Sequence, residues 1–337
     1  MKANFTIKTP IFVGSGDSYY PQDYFIEDRL YFIDRDKFTK KIIQENKFEE
    51  FLKVSSNIKK LLRFINDNFS KDIAKSEAII EYELAVNKLI NNYSKPIEAF
   101  IKDSFYFRPI IPGTTIKGAI RTALLDYLAY KNPQIIEGYR RDINKNREQN
   151  LHTIFFCDEN KSSNGQLRYD AKKDILKALF VDDFKAKSFE LEILNPINRP
   201  YKKNKDNHIP TILECLVDGE FEGEIRVEKH LLENDENLRR NKFFQDEPLS
   251  TDLIKKALRH FFRKIVDIES KRFRAKTPKY QDYLIKIGKH AGAGSKSLNG
   301  LRRIYIRPLK RDFDYQLSVW IDKFENPFGW GVLKFEA

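Results

Sequence analysis

The segment that most constrains the fold is residues 110–125, which read IIPGTTIKGAIRTALL. An apolar pair and a Pro-Gly turn precede apolar residues at i, i+3, i+4 and i+7 spacing. This pattern predicts a strand end and then a helix near 114–129 with one buried face. Thr114 or Thr115 is the predicted N-cap, because a hydroxyl oxygen can accept from a free amide of the first turn.

Two cations give the start of this helix a candidate binding role. Lys117 and Arg121 lie one turn apart beside the apolar face, close to the free amides and the positive end of the helix dipole. This arrangement suits a phosphate group. An ordinary amphipathic helix with a solvated cationic edge has the same pattern, so the segment alone leaves both interpretations open.

The excess of positive charge favours a polyanionic partner. The 337 residues include 61 Lys and Arg against 49 Asp and Glu, a net charge of +12. Nucleic acid is the first candidate, and a generally lysine-rich composition is the alternative explanation. No run of apolar residues is long enough to span a bilayer, so we expect no membrane partner.

The cysteines and histidines bear on the compartment and on metal binding. Cys157 and Cys215 lie far apart in the sequence and form no CxxC motif, which favours a reducing compartment and argues against a structural zinc. The first residues alternate like a strand and lack the apolar core of a signal peptide, so we expect a cytoplasmic protein. The five histidines show no metal-ligand spacing, and we expect no metal and no cofactor.

The order of the predicted elements indicates an α+β fold. A second helix near 250–266 has a broad apolar stripe and a candidate N-cap at Ser250. Without insertions the order is β–α–β–β–α–β, the ferredoxin-like or RRM-like core of an antiparallel sheet with two helices on one face. Residues 218–223, DGEFEG, predict a hairpin turn. The predicted strands are 3–8, 24–26, 30–33, 189–194, 211–217, 224–228, 283–287, 303–307, 315–321 and 331–335.

Residues 36–100 differ in character from the rest of the chain. They contain no glycine and a single proline, Pro96, and their apolar residues have helical spacing. We interpret them as a large helical insertion into a core formed by residues 1–35 and 101–337, which also has basic loop insertions. The apolar stripes of the insertion exceed what one exposed helix layer needs, so we expect it to contact a partner protein.

A glycine-rich loop is the second candidate phosphate site. Residues 286–300 read KIGKHAGAGSKSLNG, and glycine amides among cations can hold phosphate oxygens. The loop is not a Walker loop and has no strand–GxGxxG–helix context, so a flexible surface loop is the alternative. The candidate contacts in and just before this loop are Arg272, Arg274, Lys286, Lys289, His290, Gly292, Gly294 and Lys296.

The sequence contains no recognisable catalytic motif. Asp17 and Asp23 flank an early turn, but loop carboxylates usually face water. His290 beside lysines could serve acid–base ribonuclease chemistry, although an RNA contact or a plain loop residue is the simpler interpretation. Trp330 has two interpretations, base stacking and core packing. We predict no catalytic residue.

Four segments together resemble the RAMP superfamily of CRISPR proteins. Residues 9–16, TPIFVGSG, with the hairpin at 24–34 resemble its opening, and 111–124 resembles its signature IPG-S/T-S/T-hydrophobic-K-G-A-hydrophobic-R. The glycine-rich loop follows at the expected place, and 328–333, FGWGVL, resembles the closing segment. The opening motif and hairpin are most similar to those of the fifth Csm subunit of type III-A effector complexes. The signature is shared among several RAMP subunits, so it identifies the superfamily better than the subunit.

The resemblance implies a non-catalytic RNA-binding subunit of a type III-A CRISPR (Csm) complex that acts in antiviral defence. Such a subunit caps the backbone near the 3′ region of the crRNA. It contacts other Csm subunits, chiefly the repeating backbone subunit, and supports crRNA maturation by recruiting host nucleases. The predicted RNA contacts outside the glycine-rich loop are Gly14, Ser15, Gly16, Thr114, Thr115, Lys117 and Arg121.

Two alternatives stay open. The glycine-rich loop lacks the aromatic residues that the family pattern places after its glycines, and the turn between Asp17 and Asp23 does not clearly match the cleaving aspartate of the backbone subunit. The rival assignments are a guide-processing endoribonuclease of the same superfamily, which would also carry a C-terminal glycine-rich loop, and another RAMP backbone subunit. In the predicted core, Lys117 and Arg121 form one continuous RNA groove with residues 286–296, and their side chains point away from the apolar faces.

Overall fold

The computed structural model describes residues 1–20, 23–26, 30–70, 80–86, 95–141, 147–158, 167–201, 206–208, 211–279, 283–298, 304–306, 310–313 and 315–336. The strands are β1 Lys2–Ile7, β2 Gly14–Tyr19, β3 Tyr24–Ile26, β4 Leu30–Ile33, β5 Ile80–Val86, β6 Ile97–Phe100, β7 Ile110–Ile111, β8 Leu179–Val181, β9 Phe184–Leu194, β10 Ile197–Pro200, β11 Asn207–His208, β12 Ile212–Val227, β13 Leu284–Lys286, β14 Ile304–Ile306, β15 Arg311–Phe313, β16 Ser318–Ile321 and β17 Trp330–Phe335. The helices are α1 Arg35–Gln44, α2 Phe48–Ser55, α3 Ile58–Ile65, α4 Gly113–Lys131, α5 Pro133–Arg141, α6 Arg147–Cys157, α7 Lys229–Asn234, α8 Glu236–Arg239 and α9 Thr251–Phe273. This is a mixed α+β architecture, as the sequence predicts.

Four strands form the centre of the large sheet, in the order β17–β1–β12–β9. β1 pairs antiparallel with β17 on one side and with β12 on the other, and β12 pairs antiparallel with β9. β13 extends the sheet beyond β17. Alternate residues of β1, Ala3, Phe5 and Ile7, are buried, which is the period-2 pattern that predicts this strand.

The two long helices predicted from periodicity are confirmed as α4 and α9, and they pack against each other. The predicted apolar stripe of α4 is buried at Ile116, Ala119, Ile120, Ala123, Leu124 and Leu128. At α9 the predicted cap is also confirmed, because Ser250 Oγ accepts from the Leu253 amide at 3.2 Å. The predicted threonine cap of α4 is wrong: Pro112 occupies the cap position, and it has no side-chain cap hydrogen bond.

The prediction of a helical insertion at 36–100 is right for residues 36–65 and wrong for 80–86 and 97–100, which are strands; residues 71–79 and 87–94 lie outside the described residues. The helices α1 to α3 enclose a small apolar cluster of Ile33, Phe38, Ile42, Leu61, Phe64, Ile65 and Phe69. Further on, β5 pairs with β4 and β9, and β6 pairs with β2 and β12. In residues 80–84 apolar or aromatic side chains alternate with glutamates, and this alternation is typical of a strand. Pairing with β4 and β9, which lie elsewhere in the chain, stabilises the strand.

The hairpin predicted at residues 218–223 is also wrong, since β12 continues through it as one strand of 16 residues. Gly219 has φ +142° and lies at an irregularity in the pairing with β9. A Cβ on Gly223 would lie 2.5 Å from the ring of Phe184. These glycines therefore mark a bulge and a close approach inside a strand rather than a chain reversal.

One main core lies between the sheet and the two long helices. Trp330 belongs to it and is 0% exposed, which confirms core packing over base stacking for this residue. Cys157 and Cys215 are buried free thiols. Within the described part of the chain, no helix is long and apolar enough to cross a membrane.

Candidate nucleic-acid interface

The glycine-rich loop is fixed to the rest of the protein by backbone hydrogen bonds. The Lys289 amide donates to the Phe12 carbonyl and the Ile287 amide to the Gly329 carbonyl, both at 2.8 Å. Gly288 has φ +88°, and a Cβ there would lie 2.4 Å from the Phe12 oxygen. The loop therefore joins the opening motif to the closing segment, and a flexible surface loop is not what the structure shows.

Two further glycines of the loop allow a close approach to Gln316 and Tyr315. A Cβ on Gly292 would lie 2.2 Å from Gln316 Oε1, and one on Gly294 would lie 2.5 Å from Tyr315 Oη. The Gly294 amide donates to Gln316 Oε1 at 2.9 Å. This amide is therefore already engaged, which corrects the prediction that it is presented to phosphate.

Hydrogen-bond donors without an acceptor lie beside the loop. Gln316 is buried, and its Nε2 makes no hydrogen bond within the described residues; the same holds for Arg272 Nε. The Arg272 guanidinium stacks 4.2 Å from the ring centroid of Tyr201 and lies 5.5 Å from that of Tyr315. A buried donor left unpaired costs about 1–3 kcal/mol, so an oxygen acceptor such as a phosphate would be stabilised here.

Exposed cations surround this donor site. Arg274 ends α9 in the left-handed conformation with φ +53° and is exposed, as is Lys296 of the loop. Lys289 is half-exposed and pairs with the half-buried Glu98, an ion pair that water partly screens. The rim is therefore positive, as the sequence predicts.

Lys286 does not belong to this rim, and its predicted RNA contact is corrected. Its side chain is 0% exposed and forms an ion pair with Glu269, which also accepts from Trp330 Nε1 at 3.0 Å. The Lys286 ammonium lies 5.4 Å from the Trp330 ring centroid. Burial lowers the pKa of Lys286 and raises that of Glu269, although each charge opposes the shift of the other.

His290 points into the protein as well. Its ring lies 4.4 Å from the Trp320 centroid and 6.2 Å from that of Phe328. Burial, with the nearby Lys289 charge, lowers the pKa of His290 to about 4. The imidazole is therefore neutral at neutral pH and is a weak base.

The start of α4 is engaged by protein groups. The Gly113 amide donates to Asp183 Oδ1 at 2.8 Å, so a carboxylate already occupies this end of the helix. Lys117 Nζ donates to the Leu179 carbonyl at 2.6 Å, and burial lowers the pKa of Lys117. Arg121 pairs with the buried Asp174 and lies over an aromatic ring. These contacts favour a structural role, and they correct the prediction that the two cations point away from the core.

The predicted single groove is wrong because its two halves lie far apart. Lys117 binds β8, which pairs with β12 at Val227. The glycine-rich loop is bonded to Phe12, and the residue before Phe12 bridges to Leu216 of β12. Val227 and Leu216 are 11 residues apart on β12, and along an extended strand this separates them by roughly 35 Å.

Residues 14–16 form the exposed start of β2. Ser15 Oγ accepts from the Asp17 amide at 3.1 Å. Gly16 has φ +98° and open space around it. RNA contacts by Gly14, Ser15, Gly16, Thr114 and Thr115 stay predictions.

Sequence reasoning missed Tyr201 and Gln316, which lie far from the glycine-rich loop in the chain. The only signal was the basic segment 199–208, RPYKKNKDNH, in which one aromatic residue stands among cations. Among the residues that the structure describes, no group of three or more His, Cys, Asp or Glu side chains could hold a metal ion.

Comparison with known proteins places these features in a family. The model of the RAMP superfamily matches residues 4–327. A protein of Methanocaldococcus jannaschii named CRISPR system Cms protein Csm5 is 27% identical over 285 residues, which are 81% of this chain and 63% of that protein. A protein of the same name from Streptococcus thermophilus is 32% identical over 139 residues, 37% of this chain and 38% of that protein. The chain thus matches less than two thirds of the length of these relatives.

Solved structures show the same fold. A chain in the cryo-EM structure of a Csm–crRNA–target RNA ternary complex of a type III-A CRISPR-Cas system has a TM-score of 0.72 and 17% identity, over 99% of this chain and 100% of that one. The crystal structure of T. onnurineus Csm5 has a TM-score of 0.70 and 20% identity, over 98% and 99%. Because the family match runs through nearly the whole sequence, the chain belongs to the RAMP superfamily.

Proposed function

We propose that this chain is a Csm5-type subunit of a type III-A CRISPR effector complex, and that it binds crRNA without cutting it. The observation that carries the proposal is the sequence match to a protein named Csm5 over 81% of this chain. The order β17–β1–β12–β9, antiparallel throughout, supports the ferredoxin-like βαββαβ core predicted from the sequence. In chain order, α4 lies between β1 and β9, and α9 between β12 and β17.

The RNA backbone binds at the surface made by the glycine-rich loop, Arg272 and Gln316. Gln316 and Arg272 have donors that find no acceptor among the described residues, and this supports the location because phosphate oxygens would accept from them. The exposed cations Arg274, Lys289 and Lys296 add the positive field that nucleic acid requires. The stacked Arg272–Tyr201 pair offers a planar surface for a base.

The subunit is not itself a ribonuclease in this proposal. His290 is the best candidate for acid–base chemistry in the sequence, and its burial against Trp320 and Phe328 keeps it away from an RNA backbone. A pKa near 4 makes it a weak base as well. This geometry disfavours the guide-processing endoribonuclease as the alternative.

The helices α1 and α2 contact a partner protein, chiefly the repeating backbone subunit. Ile43, Phe48 and Leu52 are large apolar side chains that are 56%, 40% and 50% exposed there. Apolar exposure of this kind on neighbouring helices is typical of an interaction surface. With this contact the subunit caps the backbone near the 3′ region of the crRNA and supports its maturation by nucleases recruited from the host.

A salt titration of RNA affinity tests the RNA site. Phosphate contacts release counterions, so the logarithm of affinity should fall linearly with the logarithm of salt concentration. Changing Arg274, Lys289 and Lys296 to glutamine should reduce this slope by about 0.7 for each phosphate that the variant no longer neutralises. Salt-independent affinity in the unmodified protein would contradict the proposal.

A charge-matched control separates the site from net charge. Changing Lys37, Lys40 and Lys53, which are exposed on α1 and α2, to glutamine removes the same charge elsewhere. This variant should keep its affinity within about two-fold, since distant exposed charges are screened. Equal reductions in both variants would show non-specific attraction only. Specific, metal-independent cleavage by the purified protein would instead support the endoribonuclease.

An assembly assay tests the partner surface. Ile43→Gln with Leu52→Gln removes exposed apolar surface while leaving the buried cluster of α1 to α3 intact. Co-purification with the other Csm subunits should fall, and RNA affinity of the isolated chain should not change. A drop in RNA affinity with normal assembly would reverse the assignment.

A further inference from the structure

The turn between β6 and β7 presents three consecutive aromatic side chains to solvent. Phe105, Tyr106 and Phe107 are 86%, 81% and 64% exposed. Isolated exposed aromatic residues are common, but three in succession on one turn are unusual because each leaves a large apolar area in water. The turn lies outside the glycine-rich loop surface and outside the predicted RNA contacts.

The turn is held rigidly by one carboxylate. Asp103 accepts from the amides of Phe105 at 3.1 Å, Tyr106 at 2.6 Å and Arg108 at 3.1 Å. Its backbone amide also donates to the Arg108 carbonyl at 2.9 Å. These hydrogen bonds, that of Tyr106 first, lower the pKa of Asp103. The backbone of the turn is thus held in one conformation before any partner arrives, which reduces the entropy cost of binding.

The base of the turn is anchored in the core. Lys102 Nζ donates at 2.6 Å to Glu214, whose side chain is fully buried and also accepts from the Phe100 amide at 2.9 Å. The residue that follows the turn, Pro109, bridges back to Lys102. The aromatic side chains therefore stand on a supported base.

Cations border the aromatic side chains. The Arg108 guanidinium lies 5.7 Å from the ring centroid of Phe189, an exposed residue of β9, and donates to the Lys187 carbonyl at 3.3 Å. Lys185 is exposed on the same strand, whereas Lys187, also exposed there, forms an ion pair with Glu222 of β12. An apolar protein pocket would have to desolvate these charges, whereas single-stranded RNA offers bases for the rings and phosphates for the cations.

We propose that residues 105–107 form a base-stacking finger for single-stranded RNA, with Arg108 and Lys185 contacting the neighbouring phosphates. This inference rests on the proposed function and adds a second RNA contact to it. Stacking on aromatic rings tolerates any base. The finger therefore selects unpaired RNA over duplex RNA without selecting a sequence.

The test compares two RNA probes on the full-length chain. One is a short labelled oligouridylate, and the other is the same backbone without bases. The variant with Phe105, Tyr106 and Phe107 all changed to alanine should bind oligouridylate about ten-fold or more weakly, since each stacked base contributes to affinity. Its affinity for the abasic probe should not change. Thermal melting should match that of the unmodified protein because the three side chains contact water.

Two further variants sharpen the result. Phe105→Tyr, Tyr106→Phe and Phe107→Tyr together keep three rings and should restore affinity. Tyr130→Ala with Phe324→Ala removes two other exposed aromatic side chains, 67% and 61% exposed, and should have no effect.

Four outcomes would overturn the inference. Unchanged oligouridylate affinity in the alanine variant would exclude stacking while the proposed function stands. An equal reduction on the abasic probe would show that the turn acts through the backbone or the fold. If the alanine variant keeps normal RNA affinity but no longer co-purifies with the partner subunits, the turn is a protein contact. If the unmodified chain binds neither probe, the proposed RNA function itself fails.

Discussion

The buried Lys286–Glu269 ion pair leads to a quantitative prediction about a residue that the sequence placed at the RNA surface. Lys286→Met keeps most of the side-chain volume and removes the ammonium. Glu269 then keeps only the hydrogen bond from Trp330 Nε1 at 3.0 Å. Removing one partner of a buried pair costs about 3–5 kcal/mol. We expect this decrease in the free energy of unfolding, measured by urea denaturation.

The matched control and the second variant separate charge from packing. Lys289→Met changes the same residue type on the same loop, where the side chain is 50% exposed and pairs with Glu98, which is 34% exposed, so it should shift stability by less than about 1 kcal/mol. Glu269→Gln combined with Lys286→Met removes both charges and keeps an acceptor for Trp330. This double variant should regain most of the missing stability.

The pH dependence of the single variant has a defined sign. Burial raises the pKa of Glu269, and in Lys286→Met the opposing attraction of the ammonium is gone. A carboxyl whose folded-state pKa is raised stabilises the fold when protonated and loses that contribution as pH rises. The difference in the free energy of unfolding between Lys286→Met and the unmodified protein should therefore be smaller at about pH 5 than at about pH 8. Full stability of Lys286→Met together with weakened RNA binding would refute the reasoning and return Lys286 to the RNA surface.

Three other perturbations have definite expected results. Gly113→Ala should destabilise the protein by about 2 kcal/mol or more, because the new Cβ would lie 2.1 Å from the Val181 carbonyl oxygen. Gly118 has open space around it, so Gly118→Ala should stabilise α4 by about 0.5–1 kcal/mol. Equal shifts in the melting temperature of the two variants would contradict this contrast. Arg121→Ala should cost roughly 2–4 kcal/mol in chemical denaturation because it leaves the buried Asp174 without its cation, and a neutral result would show that the pair contributes nothing. Burial lowers the pKa of His152 to about 4, below its value in the unfolded chain. The contribution of the neutral imidazole to the free energy of unfolding is therefore fully present above about pH 6.5 and falls by up to about 3 kcal/mol as pH drops toward 4. His152→Leu should flatten this part of the pH–stability profile.

Local patterns predicted the long helices well. The spacing of Ile116, Ile120 and Leu124 and the serine at 250 specify α4 and the start of α9 through interactions within a few residues. The same kind of reasoning failed for residues 80–86. Their alternation was present in the sequence, but pairing with β4 and β9 selects the strand, and such pairing depends on residues far away in the chain.

The glycine-rich loop could be recognised in the sequence, but the surroundings of each of its residues could not. The sequence identified the glycine-rich loop and its cations. It could not show that Lys286 turns inward to Glu269 while Lys289 stays outside, because both belong to one short basic segment. The sequence also could not predict the contact between Tyr201 and Arg272, since their stacking depends on the tertiary fold.

The place of β17 in the sheet has a consequence for biosynthesis. This strand follows both β1 and β13 in the chain and is therefore synthesised after them, yet it lies between the two and pairs with both. Until it is made, two strand edges stay open, and such edges invite aggregation. The same late segment supplies Gly329, whose carbonyl and amide bond Ile287 and Pro10. We therefore expect the glycine-rich loop to take up its folded conformation only after this segment has been translated.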